Sequence, residues 1–160
     1  MNTILVPIDF SPGTKATVSE ACDLALALKA RLVLLHVIEP LPAEAGEFQF
    51  VEAATRIGMQ VEREIDDELG QLQRQLQACD VAATTCHVVG VPGPSIVTQA
   101  RDVAATYIVM GSHGHGPLYE LVVGSTTNHV LKEAGCPVLI VPPHHDRNRT
   151  GRCSAEALHT

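Results

Sequence analysis

The segment MGSHGHGPLYELVVGSTT, Met110 to Thr127, is the part of the chain from which the rest can be read. It begins where the apolar run Tyr107-Ile108-Val109-Met110 stops at a glycine, and it ends where Ser125, Thr126 and Thr127 open a helical segment. A strand, a glycine-rich turn and a hydroxyl-rich helix start together make a place for phosphate. Glycine lets the backbone approach an anion closely. A helix N-terminus offers unpaired N–H groups and the positive end of a dipole. The segment therefore predicts a nucleotide site, with ATP as the expected ligand.

Working outward, the other segments alternate between strand and helix. Thr3–Ile8 is a β-branched apolar run that reads as a buried strand. Ser11-Pro12 reads as an N-cap and first helical position, followed by Val18, Ala21, Cys22, Ala25 and Leu28 at helical spacing. Arg31 to Val37 is a second strand, and residues 38–50 read as a loop. From about Val51 to Ala78 runs the longest helix, with Val61, Ile65, Leu69, Leu72 and Leu76 as its buried stripe. Val81 to Val89 is a third strand, less apolar and so nearer an edge. A turn at Val91–Ser95 starts a short helix to about Ala105, and Tyr107–Met110 is the fourth strand. A helix to about Ala134, ended by Gly135, and a fifth strand at Val138–Val141 complete the pattern.

This alternation implies βαβ units with right-handed crossovers, and thus an α/β domain with a doubly wound five-stranded parallel sheet, helices on both faces. Ligands in such sheets sit beyond the carboxyl ends of strands where the strand order reverses. Asp9 and Gly111 each fall at a strand end, which predicts one shared site. Residues 144–160 are polar, carry three arginines and lack sustained periodicity, so they read as a mobile tail outside a domain of residues 1–143.

Composition narrows the function classes. With 160 residues, 46% hydrophobic and 18% charged, the chain has enough material for one core. Aromatics are 3% and the formal net charge is −7, which argues against nucleic-acid and anionic-membrane partners. The opening MNTILVPIDFS has no basic n-region, and no apolar run reaches bilayer-spanning length. The five cysteines lack a CxxC pair or zinc spacing and fit a reducing compartment. A cytoplasmic location is the expectation, and no metal site is expected among the side chains.

Two familiar phosphate motifs fail here. A Walker A loop needs Lys and Ser/Thr after its last glycine, but Gly116 is followed by Pro117-Leu118. A GxGxxG fingerprint starting at Gly114 meets Tyr119 at its last position. The spacing Gly111-x2-Gly114-x9-Gly124-Ser125 instead resembles the ATP-binding signature of the universal stress protein family. The opening strand ending in Asp9-Phe10-Ser11 and the closing Cys136-Pro137-Val138-Leu139-Ile140-Val141 resemble that family's two ends. The resemblance covers residues 1–143.

It implies a Rossmann-like sheet of order 3-2-1-4-5, with the first and fourth strands at the switch point. Pro7, Asp9 and Val37 would line the adenine end, with Asp9 accepting a hydrogen bond from the base. Met110 and Gly111 would lie along the ribose, and backbone N–H groups of Ser112, His113, Gly114, His115 and Gly116 would wrap the phosphates. Gly124, Ser125, Thr126 and Thr127 would hold the far phosphates. Family members divide into those that bind ATP and those that have lost the glycine signature; here it is intact. The family also implies a homodimer paired through the last strand.

Three functions follow. The first is an ATP-binding stress-response regulator without a catalytic set, hydrolysing slowly at most, with Mg²⁺ bridging phosphates and a hydroxyl. The second is an ATP-using enzyme with His113 or His115 as acid or base. The third is a nucleotide-free dimeric interaction module. The loop contains no lysine, and no arginine finger is in view, which favours the first over the second. Asp9-Phe10-Ser11-Pro12-Gly13 also stands where enzymes cleaving ATP at the α-phosphate carry a serine-glycine-glycine loop. His36 ends a buried strand and reads as a satisfied packing residue.

Overall fold

The computed structural model describes residues 2–40, 49–112 and 124–142, with the backbone alone for residues 49–57. The expected alternation is present: β1 (Thr3–Ile8), α1 (Thr14–Leu28), β2 (Arg31–Ile38), α2 (Gln49–Ala78), β3 (Ala83–Val89), α3 (Pro92–Asp102), β4 (Tyr107–Gly111), α4 (Ser125–Glu133) and β5 (Val138–Val141). All five strands are parallel in the order β3-β2-β1-β4-β5.

The sheet divides the apolar residues into two cores by alternation along each strand. Ile4, Val6, Leu32, Leu34 and Val109 face α1 and α2, where Val18, Cys22, Leu69 and Leu76 meet them. Leu5, Val33, Leu35, Ile108 and Met110 face α3 and α4, against Ile96, Val97 and Val130. The apolar runs in β1, β2 and β4 are continuous because both faces of these strands are covered. The edge strands β3 and β5 are less buried along their length, as the weaker apolar pattern of β3 implied.

Several local expectations need correction. The first helix starts at Thr14 with Gly13 as its N-cap, two residues beyond the proposed start, and no side chain caps it. Ser11 is buried in the preceding turn, its carbonyl accepting from the Thr14 N–H at 2.9 Å. Helix α3 stops at Asp102, short of Ala105, because Ala104 adopts a left-handed φ of 49° and the Ala105 N–H closes back on the Ala100 carbonyl. The third strand begins at Ala83 rather than Val81.

Val61 was expected in the buried stripe of α2 but is 39% exposed, whereas Ile65, Leu69 and Leu76 are buried. The cause is length. A 30-residue helix is about 45 Å long, while the 8-residue β2 spans only about 26 Å. The N-terminal part of α2 therefore runs past the carboxyl edge of the sheet and has no strand beneath it. The tail, residues 144–160, and most of the loop before α2 lie outside the described residues.

Helices α3 and α4 pack through Gly93. A Cβ built there would lie 2.9 Å from Cβ, Cγ and Cδ2 of His129, closer than van der Waals contact allows. Gly93→Ala should therefore separate the two helices and cost about 1–3 kcal/mol in urea unfolding. Adding His129→Ala removes Cγ and Cδ2 but keeps the Cβ contact, so it should recover only part of that loss. A Gly93→Ala protein as stable as wild type would show that this close approach does not govern the packing.

Candidate functional site

Strands β1 and β4 pair only at Ile4–Tyr107 and Leu5–Ile108. Beyond these residues β1 pairs only with β2, and β4 only with β5. The two central strands thus lose each other toward their carboxyl ends. Proline placement follows from this split. The Asn2 carbonyl accepts from Arg31 of β2, whereas the Thr3 carbonyl accepts from Thr106, just before β4. Alternation then turns the nitrogen of Pro7 toward β4, where the ladder has already ended. A central strand tolerates proline only where no donor is needed.

The split opens into a cleft of about 760 Å³. Pro7 and Asp9 from the β1 end, Val37 from β2, and Met110 and Gly111 from β4 line it. Gly124, Ser125, Thr126 and Thr127 line it from the start of α4. These nine expected residues come from four separate parts of the chain and share one cavity. Ser112 directly follows β4 and is half-buried. His113, Gly114, His115 and Gly116 lie outside the described residues.

The far wall is built on α4. Its first helical hydrogen bond runs from the Asn128 N–H to the Gly124 carbonyl at 2.8 Å. The amides of Ser125, Thr126 and Thr127 therefore have no partner within the helix. The first turn holds no acidic residue, so the helix does not neutralise the positive end of its own dipole. Thr127 is buried, and its hydroxyl donates to the Gly111 carbonyl at 3.2 Å. That hydroxyl proton is thus engaged in structure, which leaves its amide and the more exposed Ser125 and Thr126 to face the cleft.

The near wall is built on the turn after β1. Asp9 is exposed, and its Oδ1 accepts from the Ser11 N–H at 3.0 Å and from the Thr14 hydroxyl at 3.4 Å. Asp9 thus folds the turn into α1, a role the sequence reading gave to Ser11. Among the described residues, neither lysine nor arginine lines the cleft, and the charged residues that do are Asp9 and Glu39.

Sequence reasoning missed several lining residues. Gly13, Thr14 and Thr17 enter from the start of α1, and His36 stands at the end of β2. Val61 and Ile65 reach the cleft from α2, and Pro92 and Ile96 from α3. The apolar run of β2 ending at the carboxyl edge could have signalled His36. Nothing in the local pattern of α2 shows that it reaches over the sheet edge.

Among the described residues, no group of three His, Cys, Asp or Glu side chains could hold a metal ion, and no helix is long and apolar enough to cross a membrane. The Cys86 thiol donates to the Leu34 carbonyl at 3.7 Å. Burial pushes the thiols of Cys86 and Cys136 above their ordinary range, which disfavours the reactive thiolate.

The sequence profile described as "Universal stress protein family" matches residues 1–142. The chain belongs to that family. A universal stress protein of Thermus aquaticus is 34% identical over 151 residues, covering 87% of this chain and 97% of the relative. The solved universal stress protein UspA of Lactobacillus plantarum superposes with a TM-score of 0.76 at 25% identity, covering 88% of this chain and 97% of that one. A more distant universal stress protein, solved in complex with cAMP, superposes with a TM-score of 0.66 at 22% identity, covering 89% and 97%.

The Thr127–Gly111 hydrogen bond ties α4 to β4 at the split. Thr127→Val keeps the shape but leaves the Gly111 carbonyl without this donor, and should cost about 1–3 kcal/mol in urea unfolding. Thr127→Ser should retain most of the stability. Equal midpoints for the valine variant and the wild type would remove this bond from the account of the site.

Proposed function

We propose that this universal stress protein is an ATP-binding regulator of the stress response, and that the cleft between β1 and β4 is its nucleotide site. The observation that carries the reading is the pairing of two unlike walls across one cavity. On one side, α4 amides without a helical partner offer an anion site that no cationic side chain of the described residues lines. On the other, Pro7 and Val37 form an apolar surface beside the Asp9 carboxylate, suited to a planar base with an exocyclic amino group. The cavity is in the range that holds a small ligand. The adenine nucleotide named for the cAMP complex of a distant relative fits the same chemistry.

In this reading Asp9 accepts from the base, and Met110 and Gly111 run along the sugar. Ser112, Gly124, Ser125, Thr126 and Thr127 hold phosphates through backbone N–H groups and hydroxyls, together with residues 113–116. Mg²⁺ would arrive with the nucleotide and neutralise phosphate charge, with the Ser125 and Thr126 hydroxyls as the available neutral ligands. Among the described residues the cleft carries no lysine or arginine to stabilise a transferring phosphoryl group, and turnover should be slow. The protein's role is then to report nucleotide binding to a partner, in the cytoplasm, rather than to consume ATP.

Calorimetry with Mg-ATP tests the site. Gly124 has φ −57°, and among the described residues a Cβ there would meet only the Ser112 carbonyl oxygen at 3.7 Å, an ordinary contact. Backbone conformation and described neighbours therefore both accept a side chain at this position. Gly124→Val should leave stability nearly unchanged while weakening ATP binding roughly tenfold or more, since the branched side chain fills the approach to the α4 amides. Wild-type protein that binds no adenine nucleotide would overturn the proposal.

The same reading includes a homodimer through β5. This edge strand is parallel to β4 on one side, and Leu139 on it is 40% exposed. An unpaired edge recruits a second chain. Light scattering at micromolar concentration should give twice the chain mass, and Leu139→Lys should shift the protein toward monomer; a wild-type monomer would exclude this interface.

A further inference from the structure

His36 borders the cleft, yet its ring reaches across to β1 rather than into open space. Its Nδ1 lies 2.7 Å from the carbonyl oxygen of Ile8, the last residue of β1. A carbonyl can only accept, so Nδ1 carries the proton and the imidazole is the donor. After Ile8 the chain leaves the sheet. Phe10 adopts φ 55°, a left-handed conformation disfavoured for a residue with a bulky side chain. Its ring packs on His36 with centroids 4.9 Å apart and planes inclined by 37°. The imidazole thus holds both residues that flank Asp9: Ile8 by a hydrogen bond and Phe10 by ring contact.

We infer that His36 is a positioning residue for Asp9, and that its Nδ1–H donation to Ile8 sets the turn from which the Asp9 carboxylate meets the adenine base. The inference rests on the reading of the cleft as an adenine nucleotide site. The steps are short. The hydrogen bond fixes the direction in which β1 ends. The ring contact keeps Phe10 in its left-handed conformation, and that conformation folds the chain so that Asp9 Oδ1 meets the Ser11 N–H at 3.0 Å and the Thr14 hydroxyl at 3.4 Å. Removing the donor leaves the Ile8 carbonyl at a strand end with one partner fewer, and the left-handed residue loses its contact with the imidazole. Asp9 then samples several orientations, and a ligand must select one of them.

Donor chemistry separates this role from simple packing. The side-chain amide of asparagine can place an N–H near the Nδ1 position. The amide of glutamine extends one bond further, and leucine fills the space without a donor. ATP affinity of the three variants, and hydrogen exchange of the Ser11 amide in ligand-free protein, form the test.

His36→Asn should stay within about threefold of wild-type affinity and keep the Ser11 amide protected. His36→Leu and His36→Gln should each weaken binding about tenfold and speed Ser11 exchange by a similar factor. If leucine at this position prevents folding, the asparagine–glutamine comparison decides by the same criterion. Affinity and Ser11 protection equal across all variants would overturn the inference, as would an asparagine variant no better than glutamine. A wild-type protein that binds no ATP would defeat the nucleotide reading alone, because Ser11 exchange still reports whether His36 sets the turn.

Discussion

The hydrogen-bond ladder between β1 and β4 ends after Leu5 and Ile108, and the organisation of the molecule depends on that ending. From β1 the chain builds outward through β2 to β3, then returns by α3 to the opposite side of β1. The connections from β1 and from β4 therefore leave in opposite directions, and no crossover helix closes over the seam between them. Twist and divergence open the carboxyl ends of the two strands into a crevice. Pro7 sits where this opening has removed the need for a backbone donor. Gly111, across from it, turns its carbonyl to Thr127 instead of to β1. A central parallel strand with a proline is thus compatible with the sheet only because the sheet is split there.

The electrostatics of the crevice run against those of the whole chain. The formal net charge is −7, and among the described residues neither lysine nor arginine lines the cavity. An anion there gains nothing from long-range attraction and depends on the amides at the start of α4, whose reach is about one helical turn. Such a site is selective in a particular way. In the nucleotide reading proposed above, it would favour a ligand whose negative charge is confined to one end and whose other end is neutral, apolar and able to donate to Asp9. A compact dianion lacking that second end would meet the acidic wall without compensation.

The five strands and four helices were legible because their hydrophobic periods are clear and because glycine and proline punctuate them. The strand-end argument placed Asp9 and Gly111 together, and both line one cleft; Pro7, which lines it too, was reached only through the family resemblance. What escaped was set by tertiary geometry. Val61 has the spacing of a buried residue, but burial needs a strand beneath the helix, and the sheet ends first. Ala104 ends α3 in a left-handed conformation that the sequence does not announce, since glycine is the usual marker. Ser11 looks like a cap, yet Asp9 folds the turn, because a short carboxylate accepts the Ser11 N–H more directly. The ring of His36 and its reach to Ile8 depend on strand register, which no local pattern contains.

The two walls of the crevice are held by independent sets of bonds. On the β1 side His36, Phe10, Asp9 and Thr14 form a chain of contacts that ends at the start of α1. On the β4 side the Ser112 N–H donates to Val141 of β5 at 3.0 Å, and the Ser112 carbonyl accepts from Gly124 at 3.2 Å. That second bond joins the residues on either side of 113–123, so both ends of the glycine-rich segment are fastened to the sheet and to α4. The bonds at Ser112 and Gly124 hold these two residues together within the fold. A ligand entering the cleft encounters walls already in place. None of a ligand's binding free energy would then go into bringing Ser112 and Gly124 together.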